Sequence, residues 1–189
     1  MIHLHLLPQE ADGQLATCAA GAFDQKFRDV GAALKSNGAG HAVIRLGKEA
    51  NRGRSAYGYT SYSQKDSYIG CFQHASAALK AGSSELKIEW TNGRKTLNPV
   101  NPADFYPGDQ AVDIIGVHYY DNPELGRMTT QEIWDRLYVQ NNPGGGPQGA
   151  GLWLALAKSK DKPLSISEWG IWGREDVSVL QDQRGQSGL

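Results

Sequence analysis

"HAVIRLGKEANRGR", residues 41–54, is the stretch on which the fold turns. After His41, apolar and small residues run to Leu46, interrupted only by Arg45, and the run closes on Lys48 and Glu49 before a polar loop begins. Charges gathered at one end of a buried strand add little stability, because each must be paired or desolvated at a cost. Parallel barrels nonetheless collect their functional side chains at the C-terminal ends of the strands. Arg45 and Glu49 are four residues apart, so a strand continuing that far turns both to one face and Lys48 elsewhere.

The same grammar repeats outward along the chain. Short apolar runs recur at Ile2–Leu7, Leu86–Trp90, Val112–Tyr120 and Leu164–Trp169, which makes five expected strands. Phe23, Phe27, Val30 and Leu34 stand at helical spacing between the first two, and Asn37-Gly38 stops that helix. Tyr68, Phe72, Ala75 and Leu79 repeat the offsets before the third strand and end near Gly82. Residues 91–111 are rich in Pro and Asn and read as a long loop. Thr129 and Glu132 have capping-box spacing ahead of Ile133, Trp134, Leu137 and Tyr138, and a further helix is expected over Leu152–Lys158. Strands alternating with crossover helices imply a parallel sheet, either doubly wound or a barrel.

Gly144, Gly146 and Gly149 spell the GxGxxG of a dinucleotide turn, but they follow the polar "VQNNP" where a strand should end, and Pro147 interrupts them. A flexible glycine loop before the last helix is the better reading. The strand ends fit a TIM-type (β/α)8 barrel instead. One run ends "GVHYYDN" with Tyr119 and Tyr120, and another ends "SISEWG" with Glu168. Two carboxylates across a cleft, one protonated and one ionised, are the minimum equipment for cleaving a glycosidic bond. Trp90, Trp169 and Trp172 offer apolar faces on which sugar rings can stack. Arg45 inside an apolar strand calls for a carboxylate partner, and Glu168 is the candidate. His3, His5 and His118 read as hydrogen-bonded polar groups inside a barrel, and no metal cluster or cofactor is expected.

The remaining composition narrows the partners. In 189 residues, 19 Lys and Arg balance 20 Asp and Glu without long runs of one sign, which argues against nucleic acid and anionic membrane partners. No apolar run approaches the roughly 20 residues of a membrane helix, and "MIHLHLLPQE" lacks the basic start of a secretory signal. Cys18 and Cys71 match neither a metal spacing nor a disulfide framework, and each reads as a packed thiol.

Four ordered segments carry a family resemblance: "VIRLGKEAN" (43–51), "LKIEWTNG" (86–93), "YPGDQAVDIIGVHYYD" (106–121) and "GLWLALAKSKDKPLSISEWG" (151–170). Together they resemble glycoside hydrolase family 26, the β-mannanase family of the (β/α)8 retaining glycosidases, over about Ile2 to Trp172. The resemblance implies Glu49 as general acid/base at the end of the fourth barrel strand and Glu168 as nucleophile at the end of the seventh. It gives Tyr120 as a donor to the nucleophile, with Arg45 helping to hold it. Glu168 should then be ionised, and Glu49 protonated at the start, its proton affinity raised by the neighbouring charge.

The matched strands correspond to the third through seventh of the barrel, and a complete barrel takes about 250 residues. The chain is therefore expected to be a partial (β/α)8 barrel, with a catalytic domain over residues 1–172 and a tail over 173–189, truncated and with little activity alone. Its exposed strand edges predict self-association. The resemblance implies a secreted enzyme acting on a β-linked polysaccharide, mannan foremost and β-glucan or xylan next. A non-catalytic carbohydrate-binding remnant and an unrelated nucleotide-using α/β enzyme are the alternatives left open.

Overall fold

The structure is a computed structural model, and it describes residues 1–7, 14–121, 140–141 and 145–171. In chain order the elements are β1 (Ile2–Leu4), α1 (Leu15–Ala19), α2 (Asp24–Ser36), β2 (Val43–Leu46), α3 (Lys65–Gly82), β3 (Lys87–Gly93) and β4 (Ile114–Asp121). A two-residue antiparallel pair follows, β5 (Gln140–Asn141) with β6 (Pro147–Gln148), then α4 (Ala150–Ser159) and β7 (Leu164–Ile171). β1, β2, β3, β4 and β7 form one parallel sheet in that order, so each crossover moves the chain one strand along in the same direction. That is the progression of a (β/α)8 barrel rather than of a doubly wound sheet, whose strand order reverses partway.

The alternation of side chains sorts the sheet into two faces. Ile44 pairs in register with Ile88, and Leu46 with Trp90 and then Ile115. These residues are buried on the outer face with Phe27 of α2, Tyr68, Phe72, Ala75 and Leu79 of α3, and Trp153 of α4. Each large apolar side chain buried there contributes on the order of 1.5–3 kcal/mol. The intervening row is polar: His3 pairs with Arg45 and Arg45 with Glu89, while His118 pairs with Glu168. An apolar outer face under helices and a charged inner face explain why Arg45 tolerates a strand of Val, Ile and Leu.

α2 and α3 cross at unusually close range. A Cβ on Gly31 would overlap the carbonyl oxygen of Leu79, and one on Gly82 would overlap the backbone of Arg28 and Ala32. Asp24 in the first turn of α2 and Lys35 in its last complement the helix dipole.

Several expectations are corrected. Cys18 of α1 and Cys71 of α3 are not packed thiols but a disulfide, which ties the short helix to the long one across 53 residues. A wide sequence separation hid the pairing; the chain turn at residues 20–23 lays α1 against α3. The first strand stops at Leu4 rather than Leu7, and the third runs on through Thr91–Gly93, because the ladder to β4 continues past the apolar run. The loop over residues 91–111 holds one helical turn, Pro102–Phe105, opened by the Asn101 side chain accepting from the Ala103 N–H. The glycine segment is not a phosphate turn: Gly149 directly precedes α4, Gly146 is buried against the Val100 carbonyl, and Pro147–Gln148 forms β6. Gly144, the helix expected after Thr129 and the tail 173–189 lie outside the described residues.

Candidate active site

β2 ends at Leu46, so Glu49 does not reach the site by strand alternation. The backbone turns at Gly47 (φ 58°) and again at Glu49 itself (φ 56°), both left-handed. Glycine takes this conformation freely, whereas a residue with a Cβ does so at a cost of about 1–2 kcal/mol. Two anchors hold Glu49 in it. Its N–H donates to the Thr91 carbonyl at 2.9 Å, and the buried Asn51 amide donates to the Gly93 carbonyl while accepting from the Gly93 N–H, both at 2.8 Å. The same turn brings in Lys48, which was expected to point away: its Nζ lies 3.5 Å from Oε1 of Glu168.

Glu168 enters from β7, at the far end of the sheet and on the same inner face. A bulge between Val117 and His118 of β4 opposite β7 brings Glu168 into register with His118. Arg45 Nη1 donates to its Oε1 at 2.6 Å, and Nη2 donates to the Ser167 carbonyl at 2.6 Å. The Tyr120 hydroxyl donates to Oε2 at 3.2 Å. Burial pushes the Glu168 carboxyl up, but His118, Lys48, Arg45 and the Tyr120 hydroxyl outweigh it and hold it below the usual carboxylate range.

Glu49 is clamped separately. Arg52 Nη1 lies 3.2 and 3.1 Å from its two oxygens, and His118 Nδ1 lies 3.2 Å from Oε1. Burial raises this carboxyl, yet the His118 hydrogen bond and the Arg52 charge prevail and leave it too below its usual value. The expectation that Glu168 would raise the proton affinity of Glu49 is thus corrected in its outcome, because the His118 hydrogen bond and then the Arg52 guanidinium set the direction at this carboxyl.

One nitrogen joins the two acids. His118 Nδ1 is 3.2 Å from Glu49 Oε1 and 3.4 Å from Glu168 Oε2. The two carboxylates therefore cannot be farther apart at their facing oxygens than those two distances end to end. That bound admits the roughly 5–5.5 Å between carboxyl groups of a retaining pair.

The aromatic residues divide. Tyr120 joins the site, but Trp90 is fully buried on the outer face, edge-on to Trp153 and Tyr106, and donates Nε1–H to the Tyr68 hydroxyl at 2.9 Å. It offers no platform to a sugar. Trp169 is 77% exposed but pairs with Tyr119, one residue past Glu168 and hence on the opposite face of β7. Trp172 lies outside the described residues.

Three participants escaped the sequence reading. His118 was taken for a barrel polar group, although its place two residues before Tyr120 on one strand puts both on one face. Glu89 is fully buried, accepts from the Thr91 hydroxyl at 2.6 Å and lies 3.6 Å from Arg45 Nε; it occupies the space a side chain at Gly116 would fill. Arg52 was readable only from its spacing to Glu49. Among the described residues, no three His, Cys, Asp or Glu are grouped to hold a metal, and no helix is long and apolar enough to cross a membrane.

No protein-family model and no curated protein sequence matches the chain. Solved structures do. A GH26 β-mannanase from Bacteroides ovatus aligns with a TM-score of 0.50 at 17% identity, over 74% of this chain and 39% of that one. The catalytic domain of a GH26 endo-β-1,4-mannanase from Bacillus sp. JAMB-750 aligns with a TM-score of 0.47 at 19% identity, over 76% and 38%. The chain thus spans well under half the length of either. At such identity the first likeness speaks for the fold alone, and it agrees with the strand order: the five parallel strands are part of a (β/α)8 barrel.

Proposed function

We propose that this chain carries the catalytic centre of a retaining glycosidase acting on a β-linked polysaccharide, with β-mannan the first substrate to test and β-glucan and xylan the next. The observation that carries the reading is a carboxylate held ionised by Arg45 and Tyr120 while a second carboxylate faces it across His118. Glu168 attacks the anomeric carbon, the bond to the leaving sugar breaks, and Glu49 gives that oxygen its proton. Glu49 then takes a proton from water, the hydroxide adds to the anomeric carbon, and Glu168 leaves as a carboxylate. Residues 1–172 form the catalytic domain in this reading and 173–189 a tail. No cofactor is required by it. The Cys18–Cys71 disulfide favours a secreted protein, since such bonds persist in oxidising compartments.

A carbohydrate-binding role without catalysis has one observation in its favour. Arg52 holds Glu49 below its usual range, which leaves less of it protonated to serve as an acid. Incubation with β-mannan, β-glucan and xylan, with reducing ends measured, separates the two readings. Trapping with a 2-fluoro glycoside followed by peptide mapping locates the nucleophile. Covalent label on Glu168 supports the enzyme, whereas saturable binding with neither product nor label leaves the binding module.

A further inference from the structure

His118 is nearly inaccessible, with 1% of its side chain exposed, and it stands between the two acids rather than beside either. Its Nδ1 is within hydrogen-bonding distance of Glu49 at 3.2 Å and Glu168 at 3.4 Å. Its Nε2 is buried and meets no hydrogen-bond partner among the described residues. A proton on that nitrogen would be a buried donor without an acceptor, which costs on the order of 1–3 kcal/mol. The tautomer protonated on Nε2 would in addition turn the Nδ1 lone pair onto two carboxylate oxygens, so in a neutral ring the proton belongs on Nδ1, where either carboxylate can accept it.

We propose that His118 is a positioning residue whose one Nδ1–H serves the two carboxylates in turn. The proposal rests on the retaining reading of Glu168 and Glu49. Before the first displacement Glu168 is the anion, and Nδ1–H supports it. Once the bond from Glu168 to the anomeric carbon forms, Glu168 is a neutral ester and Glu49, having given its proton to the leaving oxygen, is the anion. The same N–H then turns to Glu49 and supports it as base for the incoming water. His118 neither gains nor loses a proton in either half. A donor within 3.2 Å of one acid and 3.4 Å of the other follows the negative charge by a small tilt of the ring, without a rotamer change.

The test begins with the ring itself, in the full chain and without reference to turnover. Long-range 15N–1H spectra near neutral pH, with His118 assigned by its loss in His118→Asn, report which nitrogen carries the proton. The expected result is a neutral ring protonated on Nδ1, retained in Glu49→Gln and in Glu168→Gln, because each variant leaves one carboxylate to accept. A proton on Nε2, an imidazolium, or loss of the Nδ1–H tautomer in either single variant overturns the proposal. Kinetics add a readout that a packing role would not move. With an aryl glycoside, His118→Ala should slow both formation and hydrolysis of the glycosyl-enzyme about ten- to a hundredfold. His118→Asn, whose amide nitrogen falls near the place of Nδ1, should recover most of both. Slowing of only one half-reaction overturns the shared donor, whereas absence of any turnover in the unaltered chain counts against the retaining reading and leaves the spectra to decide on His118.

Discussion

Arg45 reaches from β2 across the inner face of the sheet to place Nη1 2.6 Å from Oε1 of Glu168 on β7, with the fully buried Glu89 3.6 Å from its Nε. One guanidinium therefore compensates two acids, one of them without access to water. Removing a charge from such a cluster strands its partners, and the loss for breaking a buried pair is about 3–5 kcal/mol. Arg45→Met should destabilise the fold by about 3 kcal/mol, since Glu168 keeps some solvent and Lys48 nearby. Adding Glu89→Met should return at least about 1 kcal/mol of that. Urea unfolding of the two single variants and the double variant measures the coupling, and simple additivity would show that Arg45 and Glu89 do not depend on each other.

The two acids should separate by the chemistry each performs. If Glu168 is the nucleophile, as proposed, Glu168→Gln should abolish turnover on every substrate. With Glu49 as the proposed acid/base, Glu49→Ala should cost proton donation, worth typically 10²–10⁴-fold, but spare substrates whose leaving group needs little protonation. Azide should restore the second variant by replacing water at the anomeric carbon, and it should do nothing for the first. Equal losses that azide does not relieve in either would refute this division of roles.

If Glu49 is the acid, as proposed, Arg52 helps to set the pH at which it can act. Burial alone would raise that carboxyl, and His118 and Arg52 reverse the direction. A general acid works below its own pKa, so a lowered value brings the alkaline limb of kcat/KM down. Arg52→Gln removes one of the two lowering influences, the Glu49 value rises, and the alkaline limb should move to higher pH. A limb that stays in place, or moves to lower pH, would mean that it belongs to another group.

The outer face of the fold was legible because apolar periodicity reports burial against helices, and five strands with their crossovers follow from it. Arg45, Tyr120, Glu49 and Glu168 stood out as polar residues at strand ends. The placement of Lys48 was not legible, and that of Arg52 only through its i+3 spacing to Glu49, since both depend on left-handed backbone at Gly47 and Glu49, which no periodicity encodes. Trp90 was misread because an aromatic at a strand end looks alike whether it faces helices or a cleft; only the register to Leu46 and Ile115 decides it. Glu89 sits one residue before Trp90, and its burial depends on the space over Gly116, a contact made across strands.

The disulfide offers a test independent of the site. Cys18 and Cys71 close a segment with a sequence separation of 53 residues, and the chain-entropy estimate for a loop of that size is about 4 kcal/mol. Reduction, or Cys18→Ala with Cys71→Ala, should lower stability by an amount of that order and free α1 first, because α1 is only five residues long and packs chiefly on α3. Thermal melts with and without reductant, together with hydrogen exchange of residues 15–19, measure both effects. Unchanged melting on reduction would mean that helix packing alone secures α1.

Self-association is the last expectation open to measurement, and it concerns the two ends of the sheet. Among the described residues β1 pairs only with β2, and β7 only with β4. An edge strand presents unpaired N–H and C=O groups in a row, a template for a second chain unless charge or cover blocks it. β7 has little charge on its outer face, where Ile166 is 55% and Trp169 77% exposed. Two large apolar side chains three residues apart on one edge strand favour burial against another surface. Sedimentation velocity across a hundredfold dilution series should show a reversible, concentration-dependent increase in mass. Ile166→Lys combined with Trp169→Lys should shift it towards monomer by covering the outer face of β7 with charge, while leaving Glu168, on the inner face, in place. A monomer at every concentration, or association indifferent to the two lysines, would place the sticky surface elsewhere or nowhere.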